Sequence, residues 1–454
     1  MSKTHELGNE KIGLLIKKYY WPAFISMSVS ALYNIVDRIF IGQGVGAEAL
    51  SGVSIVFPIM LIFMAFGMLF GIGTGVNVSI RLGEGKQDKA EQTLGNGLLF
   101  MILVSIFISI VIYFVKDPLL EIFGASDQTL QYADDYLMVL LPGIIFQVVG
   151  FSLNNVIRSE GNARVAMKTM LISAGSNIIL DPIFIFGFDM GVKGAALATV
   201  VSMFFMSVWV LLHFLKGNSV VKLYLKNMKL RANIVWDILS IGMAPFSMQI
   251  AASVVQGLLN TQLVNYGNDI AVAANGIIMS VSSIILMSVI AVNMAIQPII
   301  GFNFGAKNFE RVKETLYKGI VFGSVIAFLG FIIVQSFPGA IVKLFNDSDI
   351  RLYEIGTRGL TIGMSLVFLI GFQVVMGNYF QSTGKAKLAM FISLLRQVIV
   401  LIPMLFVLPQ FFGLDGVWMS MPVSSFVSAL IVVYFFRKEQ LKLNELIDSK
   451  DKLL

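Results

Sequence analysis

Apolar residues run along this chain in stretches of about twenty to thirty, separated by short polar turns such as GQGVGAEAL (42–50), GNDIA (267–271) and FFGLDGV (411–417). A helix of about 20 residues spans the roughly 30 Å hydrocarbon layer with its backbone groups bonded internally. The period-two alternation of a membrane β-barrel is missing. The pattern predicts an all-α membrane protein with twelve spans, near 14–43, 50–79, 93–115, 130–157, 165–187, 192–215, 234–264, 270–302, 316–336, 354–380, 388–408 and 414–436.

Composition agrees. Hydrophobic residues make up 57% of the 454 and charged residues 13%, about half the charged share of an ordinary soluble domain. The opening MSKTHELGNEKIG (1–13) lacks the apolar core and cleavage site of a signal peptide, so the first span is expected to be retained. Of the 33 Lys and Arg, 26 fall in the N-terminus, the even-to-odd loops and the tail, and five (Lys116, Lys193, Lys343, Arg351, Arg358) in the opposite loops. The positive-inside rule then predicts both termini in the cytoplasm. The net charge of +6 thus acts as an orientation signal, with membrane lipids as partners rather than nucleic acid. There is no cysteine, and His5 and His213 are too few for a His-rich metal site.

The two halves match at an offset of about 223 residues: Pro22 with Pro245, Gly44 with Gly267, Asn155 with Asn378, and RSEGNAR (158–164) with QSTGKAK (381–387). Each half has six spans, so both share one orientation, as in a parallel duplication. The predicted organisation is a six-helix lobe (1–215), a basic linker (216–233), a second six-helix lobe (234–436) and a tail (437–454). Two such lobes around a central cavity suit a transporter. The tail reads equally as a surface helix or a solvated end.

Polar residues inside the spans carry the chemistry. Ser26, Ser30, Tyr33 and Asp37 follow i, i+4, i+7, i+11 on one helix face, and their repeat positions Gln249, Ser253, Gln256 and Asn260 are also polar. In the fifth span Ser173, Asn177 and Asp181 line up at i, i+4, i+8, while Ile402 falls near the Asp181 position of the second half. Asp37 and Asp181 are the two carboxylates placed well inside spans. Such charges cost about 2.5–3.5 kcal/mol or more at mid-membrane and mark function. Arg38 beside Asp37 is the obvious structural partner, but adjacent helical residues point about 100° apart. Arg396 is the one well-embedded base of the second half. The glycines of GIGTG (71–75) fit close helix packing, since neither they nor GQGVG continue into the GK[ST] of a phosphate loop. No nucleophile–base constellation appears, so the chain is not expected to be an enzyme.

Taken together, WPAFISMSVSALYNIVDRIFIG (21–42), the RSEGN turn (158–162), SNIILDPIFIFGF (176–188) with GVKGAALAT (191–199), and the duplication resemble the multidrug and toxic compound extrusion (MATE) transporters, prokaryotic multidrug branch, from Pro22 to about Arg437. The resemblance implies an inner-membrane antiporter that exports amphipathic, often cationic drugs or toxic compounds against inward H⁺ or Na⁺ by alternating access. It also implies a cation-coupling set of Tyr33, Asp37, Asn154, Asn177, Asp181 and Thr199, with Asp37, Asp181, Asn177 and Thr199 as candidate Na⁺ ligands. Asn155, Pro22, Asn260, Gln256 and Arg396 are secondary candidates. Asn155 competes with Asn154 because it is the one kept in the repeat. No cofactor beyond a bound Na⁺ and no partner subunit is expected. A lipid or lipid-linked oligosaccharide flippase of the same superfamily is the alternative, and it would want more embedded bases than Arg396.

Overall fold

The computed structural model describes residues 3–126, 129–217, 219–345 and 349–451. The tip of the expected 116–129 loop, Asn218 of the linker and the last three residues of the tail lie outside the described residues. Among the described residues there is no strand. The helices are α1 (Lys3–Asn9), α2 (Ile12–Gly44), α3 (Ala47–Gly83), α4 (Gln87–Ile122), α5 (Leu130–Ser159), α6 (Ala163–Pro182), α7 (Gly191–Lys216), α8 (Ala232–Gly305), α9 (Phe309–Ser336), α10 (Pro338–Phe345), α11 (Ile350–Gly363), α12 (Leu369–Ser382), α13 (Ala386–Leu394) and α14 (Leu401–Asp451). Spans one to six are α2–α7. Spans seven and eight share α8, which breaks at Asn268 (φ 60°, ψ −168°). The tenth span is interrupted by a turn between α11 and α12. The eleventh starts in α13 and continues through π-helical residues Leu395–Val400 into α14, whose break at Gly413 (φ 58°) opens the twelfth.

The duplication is written in the backbone. Left-handed residues recur at the repeat offset: Gly85 (φ 72°) with Lys307 (φ 55°), Gly161 (φ 93°) with Gly384 (φ 73°), Gly191 (φ 54°) with Gly413 (φ 58°), and Gly46 (φ 116°) with Asn268 (φ 60°). A side chain there costs about 1–2 kcal/mol. Asn268 offsets part of this because its Oδ1 accepts from the Ile270 N–H at 3.0 Å.

The chain divides into two compact units, residues 1–10 with 21–246, and residues 11–20 with 247–454. The division does not fall in the linker. It crosses α2 between Tyr20 and Trp21 and α8 between Phe246 and Ser247, each within two residues of a proline, Pro22 or Pro245. A proline lacks the N–H that would bond back along the helix, so each crossing lies beside a gap in its helix's ladder.

In the first unit α5 packs between α3 and α7. The GIGTG glycines make the close approaches possible: a Cβ on Gly71 would sit 2.8 Å from Ser152 Cα, and one on Gly73 2.2 Å from the Ile238 carbonyl oxygen. The linker is sewn to α4, with Asn96 Nδ2 donating to Asn227 O at 3.3 Å and Asn96 Oδ1 accepting from Arg231 N at 2.7 Å. Glu160, fully buried, accepts from Asn162 Nδ2 (2.6 Å), Ser219 Oγ (2.6 Å) and the Val220 N–H (3.0 Å), and its Oε1 lies 2.7 Å from His213 Nε2. In the second unit the core gathers around Trp418 with Leu263, Ala274, Ile278, Val289 and Leu360. The tail settles as helix: α14 continues to Asp451 with Leu443 buried, and Glu439 accepts from Tyr379 Oη at 2.9 Å and from Lys385 Nζ.

Candidate functional site

Four helices of the first unit bring polar side chains together in otherwise apolar surroundings: α2 supplies Asp37, α5 Tyr136, α6 Asn177 and Asp181, and α7 Thr199. Asp181, Asn177, Thr199 and Tyr136 are all buried. Asn177 Nδ2 donates to Asp181 Oδ1 at 3.2 Å and lies 3.4 Å from Thr199 Oγ1. The Asp37 and Asp181 carboxyl groups lie within hydrogen-bonding reach of each other. Tyr136 lies close to Thr199, Tyr33 and both carboxyls.

Buried oxygens without donors occur in both units, in the second on the amides Asn275, Asn293, Gln373 and Gln397, but in this cluster two of them are carboxyl oxygens. Asp37 Oδ1, Asp181 Oδ2 and Asn177 Oδ1 are buried oxygens without a hydrogen-bond donor. Buried polar atoms are ordinarily satisfied, because leaving one bare costs roughly 1–3 kcal/mol. A surplus of oxygen acceptors with two carboxyls among them suits a hard cation or a proton. Among the described residues no group of three His, Cys, Asp or Glu gathers to hold a metal, here or elsewhere.

The structure separates the remaining candidates. Arg38 does not pair with Asp37; its Cζ stands 5.1 Å from the Phe57 ring centre. Asn155 is spent on helix packing, since Nδ2 donates to Phe151 O at 2.9 Å and Oδ1 accepts from Arg158 Nη1 at 3.2 Å. Asn154, its neighbour, keeps its acceptor unspent. Pro22 stands beside the crossing of α2, and its carbonyl accepts from Ser26 Oγ at 2.7 Å. In the second unit Asn260 Oδ1 accepts from Gln256 Nε2 at 3.0 Å and from Asn275 Nδ2 at 3.5 Å, an amide set of its own. Arg396 lies in the π-helical segment, its carbonyl accepting from Ser424 Oγ at 2.5 Å, and makes no ion pair among the described residues.

Tyr136 is the residue that reading the sequence misses. Asn154 lies 18 residues, or about 27 Å, farther along α5, so the expected Asn154 falls outside the cluster and Tyr136 is what α5 contributes to it.

The MatE family model matches the chain twice, over residues 22–183 and 245–407, one match for each half. The multidrug export protein MepA of Staphylococcus aureus (strain MRSA252) is 31% identical over 419 residues, 92% of each chain. The protein of the same name from Staphylococcus haemolyticus is 30% identical over 413 residues, 91% of this chain and 90% of that one. Among solved structures, the outward-facing conformation of a multidrug resistance MATE family transporter of the MOP superfamily superposes with a TM-score of 0.91. It is 24% identical and covers 98% of this chain and 99% of that one.

Proposed function

The chain belongs to the MatE family of membrane transporters and is not an enzyme, and on that premise we propose that it is a cation-coupled exporter of drug-like small molecules. The export of drugs is read from the MepA relatives, which share about a third of their residues with it along nearly the whole length. Amphipathic, often cationic compounds are the substrate class. The coupling is read from the first unit, and one observation carries it: three buried oxygens that lack donors, belonging to Asp37, Asp181 and Asn177.

A cation entering this site meets two carboxyl groups already close enough to share a proton. The proton or Na⁺ takes the lone pairs that no protein donor satisfies, and the site loses its negative charge. The charged and neutral forms favour different packings of α2 against α6 and α7. Substrate that prefers the opposite packing is then released as the cation enters, which is exchange by population shift between two conformations. Asn177 orients Asp181 and, with Tyr136, Thr199. Tyr33 lies near enough to donate to a carboxyl oxygen. H⁺ and Na⁺ compete for one set of oxygens.

The test uses purified protein in proteoliposomes loaded with a fluorescent organic cation. Either an imposed pH gradient or an imposed Na⁺ gradient is expected to drive its movement, and passive, gradient-independent flux would overturn the reading. The 26 basic residues of the N-terminus, the even-to-odd loops and the tail support both termini in the cytoplasm. Because the chain has no native cysteine, Lys222→Cys is expected to stay unlabelled by an impermeant thiol reagent in intact cells.

A further inference from the structure

Far from the carboxyl pair, at the end of the first unit that carries the linker, a cavity of about 170 Å³ opens where α3 finishes and α4 and α8 begin. Arg81, Lys89 and Arg231 line it, together with Gln92, Thr93 and Asp237. Arg81 is partly neutralised, lying 3.3 Å from Glu84 and 3.7 Å from Asp237. Lys89 and Arg231 have no acidic partner among the described residues; Arg231 Nη1 donates to neutral Gln92 Oε1 at 2.7 Å. Lys89 stands in the first turn of α4, and α8 starts one residue after Arg231, so two helix N-termini add their positive ends to the same place. The cavity therefore offers an anion fixed charge, N–H groups and a neutral hydroxyl and amide rim.

The segment beside it says which anion. The linker carries Lys222, Lys226 and Lys229 interleaved with apolar side chains, and Tyr224, Leu225, Leu230 and Trp236 are 40%, 83%, 50% and 70% exposed. These apolar residues are not left outward by slack chain, because the linker is bonded to α4 through Asn96, Gln92 and Gln87. Lys226 Nζ lies 5.2 Å from the Tyr224 ring centre. Tyr and Trp among bases at the ends of spanning helices are the signature of the headgroup layer. A soluble phosphate would gain nothing from that apolar rim, whereas a phospholipid engages both parts.

We propose that this cavity binds the phosphate of an anionic phospholipid headgroup, with Arg81, Lys89 and Arg231 around it and the linker's apolar side chains against the acyl chains. Binding there would tie the linker to the leaflet on its own side of the membrane.

The experiment is native mass spectrometry of the detergent-purified protein titrated with phosphatidylglycerol, with phosphatidylcholine and inorganic phosphate as separate arms. Phosphatidylglycerol is expected to give one tight adduct, absent with phosphatidylcholine. The double variant Lys89→Gln/Arg231→Gln should weaken it about thirty-fold, from roughly a factor of five per base. Lys313→Gln/Lys318→Gln removes the same charge from the second unit and should leave it unchanged; both double variants must match wild type in thermal unfolding without lipid. Equal loss in the two double variants would overturn the site in favour of diffuse charge. Saturation by inorganic phosphate, with phosphatidylglycerol adding nothing, would overturn the lipid as occupant. A titration indistinguishable between phosphatidylglycerol and phosphatidylcholine would overturn the site altogether.

Discussion

The two halves place polar residues at the same register of the same helix and do different chemistry with them. In the first, Asp37 sits among acceptors that outnumber their donors. In the second, Asn260 at the matching position is bonded by two amides, Gln256 and Asn275. Amides carry donors and acceptors in equal supply and can satisfy one another within a bundle. Carboxylates carry acceptors alone, and a buried set of them is completed from outside. Duplication thus copied the backbone breaks closely while leaving a carboxyl at this register in only one half.

A second contrast lies at the linker-side ends. In the first unit the acid is Glu160, on the turn after the fourth span, and the segment after the sixth span supplies its partners. In the second unit the acid is Glu439, on the segment after the twelfth span, and the partners Tyr379 and Lys385 come from the tenth span and the turn that follows it. Thr383 stands where the repeat would put Glu160. Burial lowers the Lys385 ammonium from its ordinary range, and Glu439 pulls it part of the way back. The same connection is made with the acid on the opposite segment.

The largest effect tests the first contrast directly. Asp37→Asn and Asp181→Asn should each drop gradient-driven transport by at least about a hundredfold, on the scale of an essential group removed, with thermal unfolding unchanged in detergent. Near-normal transport by either variant at matched expression would make the carboxyls structural.

Adding Asn260→Asp to Asp37→Asn should leave transport at that same floor. The second half has Ile402 where the first has Asp181, so the new carboxylate lacks both its partner and the Asn177–Thr199 pair. Recovery would show that either half can host the cation, and the contrast would collapse.

Smaller is the expected interplay of Na⁺ and pH. If both cations use the same oxygens, a proton on the carboxyl pair must leave before Na⁺ binds. Na⁺ affinity, followed by thermal shift between about pH 8 and pH 5, should then weaken as pH falls, approaching tenfold per unit once the proton holds the site. Asp37→Asn should weaken it further. A pH-independent Na⁺ response would place Na⁺ elsewhere.

Smallest are the clamps. Glu160→Gln should cost about 1–3 kcal/mol of stability, because an amide turns one acceptor into a donor facing donors. Glu439→Gln should cost less, since Gln Oε1 still accepts from Tyr379. Thermal or denaturant unfolding of the two variants reads the difference, and the reverse order would mean that the second unit depends more on its clamp.

Much of this molecule is determined residue by residue. Lipid selects apolar stretches of a set length, and loop charge sets orientation, so spans, repeat and the Asp37–Asp181 face are legible without knowing which helices touch. The left-handed breaks fall in the same class, being mostly glycines between those stretches. Tertiary structure decided what depends on neighbours far along the chain. It tied Asn155 to Phe151 and Arg158. It brought Tyr136 to Thr199. It moved the division between units from the linker to the two proline-flanked crossings, and it docked linker and tail through Glu160 and Glu439. Hydropathy acts on each segment separately, whereas the partner of a buried polar group is whichever one the abutting helix presents.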